Sequence, residues 1–160
     1  MSTTPKTVAV IGAGPVGLAA AAHVLERGML PVVLEAGEQV GHAVLQWAHV
    51  RMFSPWAYNV DKAAERLLAR QGWNAPDPDH YPTGGELAEH YLEPLATRTP
   101  LIAHVRTKAR VISVARAGFD KVKTVGRDKA PYEIRYQNGR GSEALRAAGR
   151  YADKSVAVLG

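Results

Sequence analysis

The chain has 160 residues, 46% hydrophobic and 22% charged, the profile of one ordinary globular domain long enough to bury a core. Its net charge of +5 comes from scattered basic residues without aromatic interleaving, so nucleic acid is not an expected partner. There is no cysteine, hence no disulfide, thiolate metal site or Cys-x-x-Cys pair, and no apolar run of membrane-spanning length or secretory leader, so no membrane is expected and the cytoplasm is the default setting.

After a short polar lead, Thr7–Ile11 is an apolar, β-branched run and a predicted strand. It leads directly into Gly12-Ala-Gly14-Pro15-Val16-Gly17, a G-x-G-x-x-G pattern, and then an alanine-rich helix to about Arg27, stopped by Gly28. Leu18, Ala21, Ala22 and Leu25 form its inward side. A second apolar run, Pro31–Glu35, ends in a carboxylate. Strand, tight turn, helix, strand and acid in this order are the Rossmann dinucleotide pattern. Gly12 turns the chain off the strand, Gly14 leaves room for a pyrophosphate, and Gly17 lets helix and strand pack closely. Pro15 falls in the first helical turn, where its missing N–H costs little. Glu35 stands where an acid accepts hydrogen bonds from ribose hydroxyls. Both strands are nearly all apolar, as central parallel strands are.

Gly37 and Gly41 mark a loop. His42 to Tyr58 is irregular and holds Trp47, Trp56, Phe53, His49 and Arg51, with a turn at Ser54-Pro55. Arg51 pairs with a phosphate or substrate anion, or forms a surface salt bridge. Trp47 and Trp56 stack on a ring or pack in the core. His49 is an acid/base candidate or a structural histidine. Asp61–Gln71 is a predicted helix with Asp61 as N-cap and Gly72 as stop, followed by a proline-rich loop from Asn74 to Pro82. Thr83 and Glu86 form a capping box. Leu87, Tyr91, Leu92 and Leu95 make the buried stripe of the next helix, which Pro94 should bend or shorten. Leu101–Val105, Arg110–Val114, Lys121–Val125 and Tyr132–Tyr136 read as strands, Asn138-Gly139 as a hairpin turn, Ser142–Arg150 as a short helix, and Ser155–Leu159 as a parallel-type strand. His80, His90 and His104 are too far apart in sequence to suggest a metal site. The whole, residues 1–160, is expected to be a single α/β Rossmann-like domain: a parallel sheet flanked by helices, with a small β-hairpin or meander insertion.

The opening motif, Glu35, the Trp47-Ala-His-Val-Arg-Met-Phe-Ser-Pro-Trp56 stretch and Pro82-Thr-Gly-Gly-Glu-Leu-Ala-Glu-His-Tyr-Leu-Glu-Pro-Leu-Ala96 resemble the N-terminal FAD-binding part of flavin-dependent oxidoreductases, in particular the flavin-containing monooxygenase-like branch. The resemblance covers most of residues 5–140. It implies that Gly12, Gly14, Pro15, Val16 and Gly17 cradle the FAD pyrophosphate and that Glu35, with Ala36 beside it, holds the adenosine ribose. Gln46, Trp47, Arg51 and Phe53 would line the flavin and its ribityl chain, and the backbone of Arg110 and Val111 would meet the adenine. The catalytic residues stay unassigned. The implied parent reaction is NAD(P)H reduction of FAD followed by oxygen transfer to a soft heteroatom or a carbonyl of a small-molecule substrate.

Such proteins are longer and carry a second G-x-G-x-x-G for NAD(P)H. Here Tyr151–Gly160 resembles only the first strand of that second nucleotide-binding domain, and an intervening stretch looks missing. The expectation is a truncated FAD-binding domain with an incomplete NAD(P)H site. Two alternatives stand beside it: an NAD(P)-dependent dehydrogenase fragment, or a non-catalytic dinucleotide module or split-enzyme subunit. The unpartnered run Ser155–Leu159 would then favour self-association or a missing C-terminal partner. The absence of cysteine argues against the disulfide-reductase branch that shares the first motif.

Overall fold

The computed structural model describes residues 5–120 and 122–147. Three parallel strands carry the fold: β1 (Thr7–Ile11), β2 (Leu30–Leu34) and β3 (Val105–Arg106), with β2 in the middle. Thr7 pairs with Leu30 and Ile11 with Leu34, and Val33 and Leu34 pair with Val105 and Arg106. β1 beyond Thr7 and all of β2 are apolar, in keeping with cover on both faces. Val10 and Val33 enter the larger core cluster among helices, whereas Ala9, Val32 and Leu34 pack against a second, antiparallel sheet.

The crossover from β1 to β2 is α1 (Pro15–Glu26), whose Leu18, Ala21 and Ala22 are fully buried. Gly28, at φ 68°, ends it in the left-handed region. Two short helices, α2 (His42–Leu45) and α3 (Trp56–Asn59), punctuate the irregular segment, and Trp56 is a core residue. The helix α4 (Lys62–Ala69) buries Ala63, Ala64, Leu67 and Leu68. Its N-cap is Asp61, whose carboxylate accepts from the N–H groups of Ala63 and Ala64 at 2.9 and 3.1 Å. Its outer face is tied to α1 by Arg66, which donates two bonds to Glu26 at 2.7 and 2.8 Å, and by the 3.0 Å contact of His23 with Asp61.

The expected capping box is present: Thr83 accepts from Glu86 N–H at 3.1 Å and Glu86 accepts from Thr83 N–H at 2.6 Å, opening α5 (Gly84–Leu87). Pro94, expected to bend or shorten this helix, lies instead in a chain that stays helical from Gly84 to Arg98 with a change of helical register. Residues Ala88–Leu92 form a π-helical turn before α6 (Glu93–Arg98). Proline has no N–H for the carbonyl four residues back, that of His90. The indole N–H of Trp73 donates to that carbonyl instead, at 2.8 Å. Leu87, Tyr91, Leu92 and Leu95 are buried, and Tyr91 Oη accepts from Asp61 N–H at 3.1 Å.

The antiparallel sheet runs β4 (Arg110–Arg116), β5 (Tyr132–Asn138) and β6 (Gly141–Ala147) in that order. Its inner residues Ile134, Tyr136 and Val111 meet Leu34 and Ala109. The expected hairpin is present with its turn one residue later: Asn138 ends β5 and pairs with Gly141, Gly139-Arg140 forms the loop, and the Asn138 side-chain carbonyl accepts from Arg140 N–H at 2.9 Å.

Three expectations were wrong. Leu101–Val105 is not a strand: Thr99 caps a 3-10 turn at Pro100–Ala103, its hydroxyl accepting from Leu101 N–H at 3.2 Å, and only Val105 and Arg106 reach β2. Residues 122–125 are not a strand either. The Asp120 side chain accepts from the N–H groups of Val122 and Lys123, both at 2.9 Å, a local bond that competes with a ladder. Ser142–Ala147 is strand and not helix, because pairing across the hairpin, with Leu145 opposite Ile134, overrides the local helix preference of Glu-Ala-Leu-Arg-Ala. The remainder of that expected helix, the expected strand Ser155–Leu159 and the Tyr151–Gly160 resemblance lie outside the described residues. No helix among the described residues is long and apolar enough to cross a membrane.

Candidate functional site

At the carboxyl end of β1 the chain turns on Gly12, at φ 95°, where a side chain would be strained; its N–H donates to the carbonyl of Leu34 at 2.8 Å. Gly14 is extended and serves as N-cap of α1, and Pro15 occupies the first turn. The first helical bond runs from Leu18 N–H to Gly14 O at 3.0 Å. A Cβ on Gly17 would lie 2.1 Å from Gly12 O, so only glycine lets the helix come this close to the turn. A Cβ on Gly14 would meet nothing within 4 Å, which leaves open space over the turn. Val16 is 62% exposed, and the first turn of α1 contains no acidic residue. The positive end of the helix dipole therefore faces accessible space.

Glu35 follows β2 directly, and all its polar groups are engaged. Its carboxylate accepts from Ala13 N–H and from Gly37 N–H, both at 2.7 Å. Its own N–H donates to Arg106 O and its carbonyl accepts from Ala109 N–H, at 2.9 and 2.8 Å. Lys108, between β3 and β4, has φ 54°, the left-handed region that a lysine rarely adopts. It is pinned there by its N–H bond to Gly37 O at 2.8 Å and a 3.1 Å contact of its ammonium with Glu38. Gly41 N–H closes the assembly by donating to Ala13 O at 2.9 Å. The glycine turn, Glu35, Gly37 and the Lys108-Ala109 segment are thus joined by hydrogen bonds; Ala36 is exposed, and Arg110 and Val111 follow directly on Ala109 at the start of β4.

Gln46, Trp47, Arg51 and Phe53 lie on or just before a segment in which residues 48–57 pair with 78–85 and which packs on the main core through Trp47, Met52 and Trp56. Met52 N–H donates to Pro82 O at 2.8 Å and Gly84 N–H to Val50 O at 3.0 Å. Trp47 is half-buried, with its ring packed on Gly84, where a Cβ would lie 2.5 Å from ring carbon Cε3. Gln46 is exposed and Phe53 is 95% exposed. Arg51 is exposed, donates to the carbonyl of Tyr81 and bridges to Thr83 in the antiparallel sense. Glu86 lies beside it. The N–H of Thr83 holds its carboxyl below the ordinary value against the opposing effect of burial, helped by the Thr83 hydroxyl, His80 and Arg51. His49 is exposed. Among the described residues no cluster of His, Asp and Glu could hold a metal ion.

Sequence reasoning missed Gly37, Gly41 and Lys108 as parts of the site. The two glycines marked a loop but not its hydrogen bonds, and nothing in the local sequence signals the left-handed lysine.

A parallel sheet whose first turn is a glycine-lined helix start, with an acid at the end of the next strand, defines a dinucleotide-binding α/β domain. A family model described as pyridine nucleotide-disulphide oxidoreductase matches residues 9–137, and the chain belongs to that family. Comparison with curated proteins gives no match. Among solved structures, the bacillithiol disulfide reductase Bdr from Bacillus cereus superposes with a TM-score of 0.64 at 21% identity, over 89% of this chain and 37% of its own. A steroid monooxygenase bound to NADP gives 0.63 at 25% identity, over 89% and 25%. The enzyme OTEMO in complex with FAD and NADP gives 0.60 at 21% identity, over 92% and 25%. The chain therefore spans 25–37% of the length of these structures. The family's name includes a disulfide chemistry for which this sequence has no cysteine.

Proposed function

We propose that the chain is the FAD-binding domain, residues 1–160, of a flavin-dependent NAD(P)H oxidoreductase of the monooxygenase-like kind, working in the cytoplasm on a small-molecule substrate. The observation that carries this reading is the turn itself. Gly17 brings the helix start against Gly12, Gly14 leaves the space above open, and Glu35 stands at the end of the next strand. Family membership and the FAD and NADP named with the matching structures support it.

The residues present fit the cofactor. The backbone of Gly12, Gly14, Val16 and Gly17, with Pro15 fixing the helix entry, would take the pyrophosphate, aided by the dipole of α1. Glu35, beside Ala36, would accept from the adenosine ribose through the lone pairs its carboxylate oxygens retain. Arg110 and Val111 would border the adenine, and Gln46, Trp47, Arg51 and Phe53 the flavin end. Bound flavin supplies the electron transfer; the chain binds it, orients it and limits water around it. Hydride delivery from NAD(P)H is not assigned to any residue of the span that matches the family, residues 9–137.

The test is flavin content and FAD titration of the purified chain, followed by absorbance and fluorescence. A yellow protein, or saturable FAD binding, is expected. A colourless protein with no FAD signal refutes the reading. Because FAD and NAD share an adenosine ribose, Glu35 suits both; preference for NAD(H) over FAD would move the assignment to a dehydrogenase domain.

A further inference from the structure

We propose that Glu35 is the positioning residue that assembles the dinucleotide site before a ligand arrives, and not only an acceptor for the ribose. The proposal rests on the dinucleotide reading above and deepens it. The Glu35 carboxylate joins two separate loops, taking Ala13 N–H from the turn after β1 and Gly37 N–H from the loop after β2, each at 2.7 Å. In open parallel sheets ligands bind outside these strand ends. Bonds from backbone N–H to a carboxylate are short and strong, so the two loops are held to one side chain.

The effect passes beyond the carboxylate. Gly37, held by Glu35, accepts from Lys108 N–H at 2.8 Å, and the Glu35 carbonyl accepts from Ala109 N–H at 2.8 Å. These contacts oppose the strain of Lys108 at φ 54° and fix where Arg110 begins β4. One side chain thus sets the pyrophosphate turn, and through Gly37 the edge expected to meet the adenine. Glutamine cannot replace it. It is isosteric, but its amide has one acceptor oxygen and must turn an NH2 toward a second N–H.

The test begins with the ligand-free wild-type protein. Scalar couplings across hydrogen bonds from the amide nitrogens of Ala13 and Gly37 to Glu35 Cδ are expected in NMR spectra, and their absence overturns the proposal. In Glu35→Gln, amide exchange at Ala13 and Gly37 should quicken by about tenfold while that in α4 holds, as expected for loss of one strong bond. The binding arm compares ADP with 2′,3′-dideoxy-ADP, which keeps the diphosphate and lacks the ribose hydroxyls. A positioning role predicts that Glu35→Gln weakens both probes, the dideoxy form by at least about threefold. Loss confined to ADP, with the dideoxy form unchanged, overturns it and leaves Glu35 as a ribose acceptor alone. Failure of the wild type to bind either probe or FAD refutes the dinucleotide reading, while the ligand-free signals still decide the assignment of Glu35.

Discussion

Replacing Gly17 by alanine tests the close approach of helix and turn on which the site depends. The new Cβ would lie 2.1 Å from Gly12 O, 3.0 Å from Gly12 C and 3.5 Å from Val10 Cγ1. The first two neighbours are backbone atoms of a turn whose own N–H is bonded to Leu34 O at 2.8 Å, so they cannot swing aside as a side-chain tip would. Reaching an ordinary contact requires α1 and the turn to separate by roughly an ångström, and overpacking of this kind costs about 3 kcal/mol or more. Alanine recovers about 1 kcal/mol through its better helix propensity. The net expectation is a loss of at least about 2 kcal/mol, or roughly 4–8 °C in Tm for a chain of this size. Gly14→Ala is the control, since its Cβ meets nothing within 4 Å and its φ of −80° suits alanine. That variant should unfold within about 0.5 kcal/mol of wild type, yet bind FAD at least about tenfold more weakly, because the methyl group enters the space left for phosphate. Urea unfolding monitored by circular dichroism, paired with FAD titration, separates the two effects. A Gly17→Ala protein as stable as wild type, or a Gly14→Ala protein with undiminished FAD affinity, would refute the reasoning.

Three other expectations follow from the scaffold. Lys108→Gly should be neutral or stabilising by up to about 1 kcal/mol, whereas Lys108→Val, β-branched at positive φ, should cost about 1–2 kcal/mol; thermal unfolding of the pair measures the strain. Trp73→Phe should cost about 1 kcal/mol by removing the indole bond to His90 O, and less in a Pro94→Ala background that restores an N–H for that carbonyl; a double-mutant cycle reads the difference. Asp61 is partly buried, which alone would raise its pKa, but the N–H groups of Ala64 and Ala63 together with His23 outweigh burial and hold it below the ordinary 3.8. A depressed carboxyl stabilises the fold above its unfolded pKa, and that contribution disappears as pH falls below about 4 through the folded value. Asp61→Ala should therefore lose about 1 kcal/mol of capping at pH 7 and show a flatter acid limb when unfolding is measured from pH 6 to 2.

The β1-turn-α1-β2 unit was legible because each residue there answers a local requirement: β-branched residues for strands covered on both faces, glycine where the backbone bends or touches, an acid at the strand end. The capping box at Thr83 was legible for the same reason, and the hairpin after Asn138 to within one residue. Register and competition were not. Whether Leu101–Ile102 pairs or coils depended on the cap at Thr99, and the Val122 region on the side chain of Asp120. The preference of residues 142–147 for helix yielded to a partner strand that only the assembled sheet supplies. Within the candidate site, Trp47 was readable as aromatic but its seat on Gly84 was not, since Gly84 lies far along the chain within the capping-box helix.

The two sheets are unequally anchored. The parallel sheet shares its core with α1, α4, α5 and α6, while the antiparallel sheet holds on through a small cluster of Leu34, Ala109, Ile134 and Tyr136. Hydrogen exchange should therefore resolve two cooperative units, with β4–β6 opening well below the global unfolding free energy. A nucleotide that touches both the Gly12–Gly17 turn and Arg110 would stitch the weaker unit to the stronger. Its binding energy would then be read as slowed exchange in β4–β6, a region that carries few of the residues first suspected of holding it.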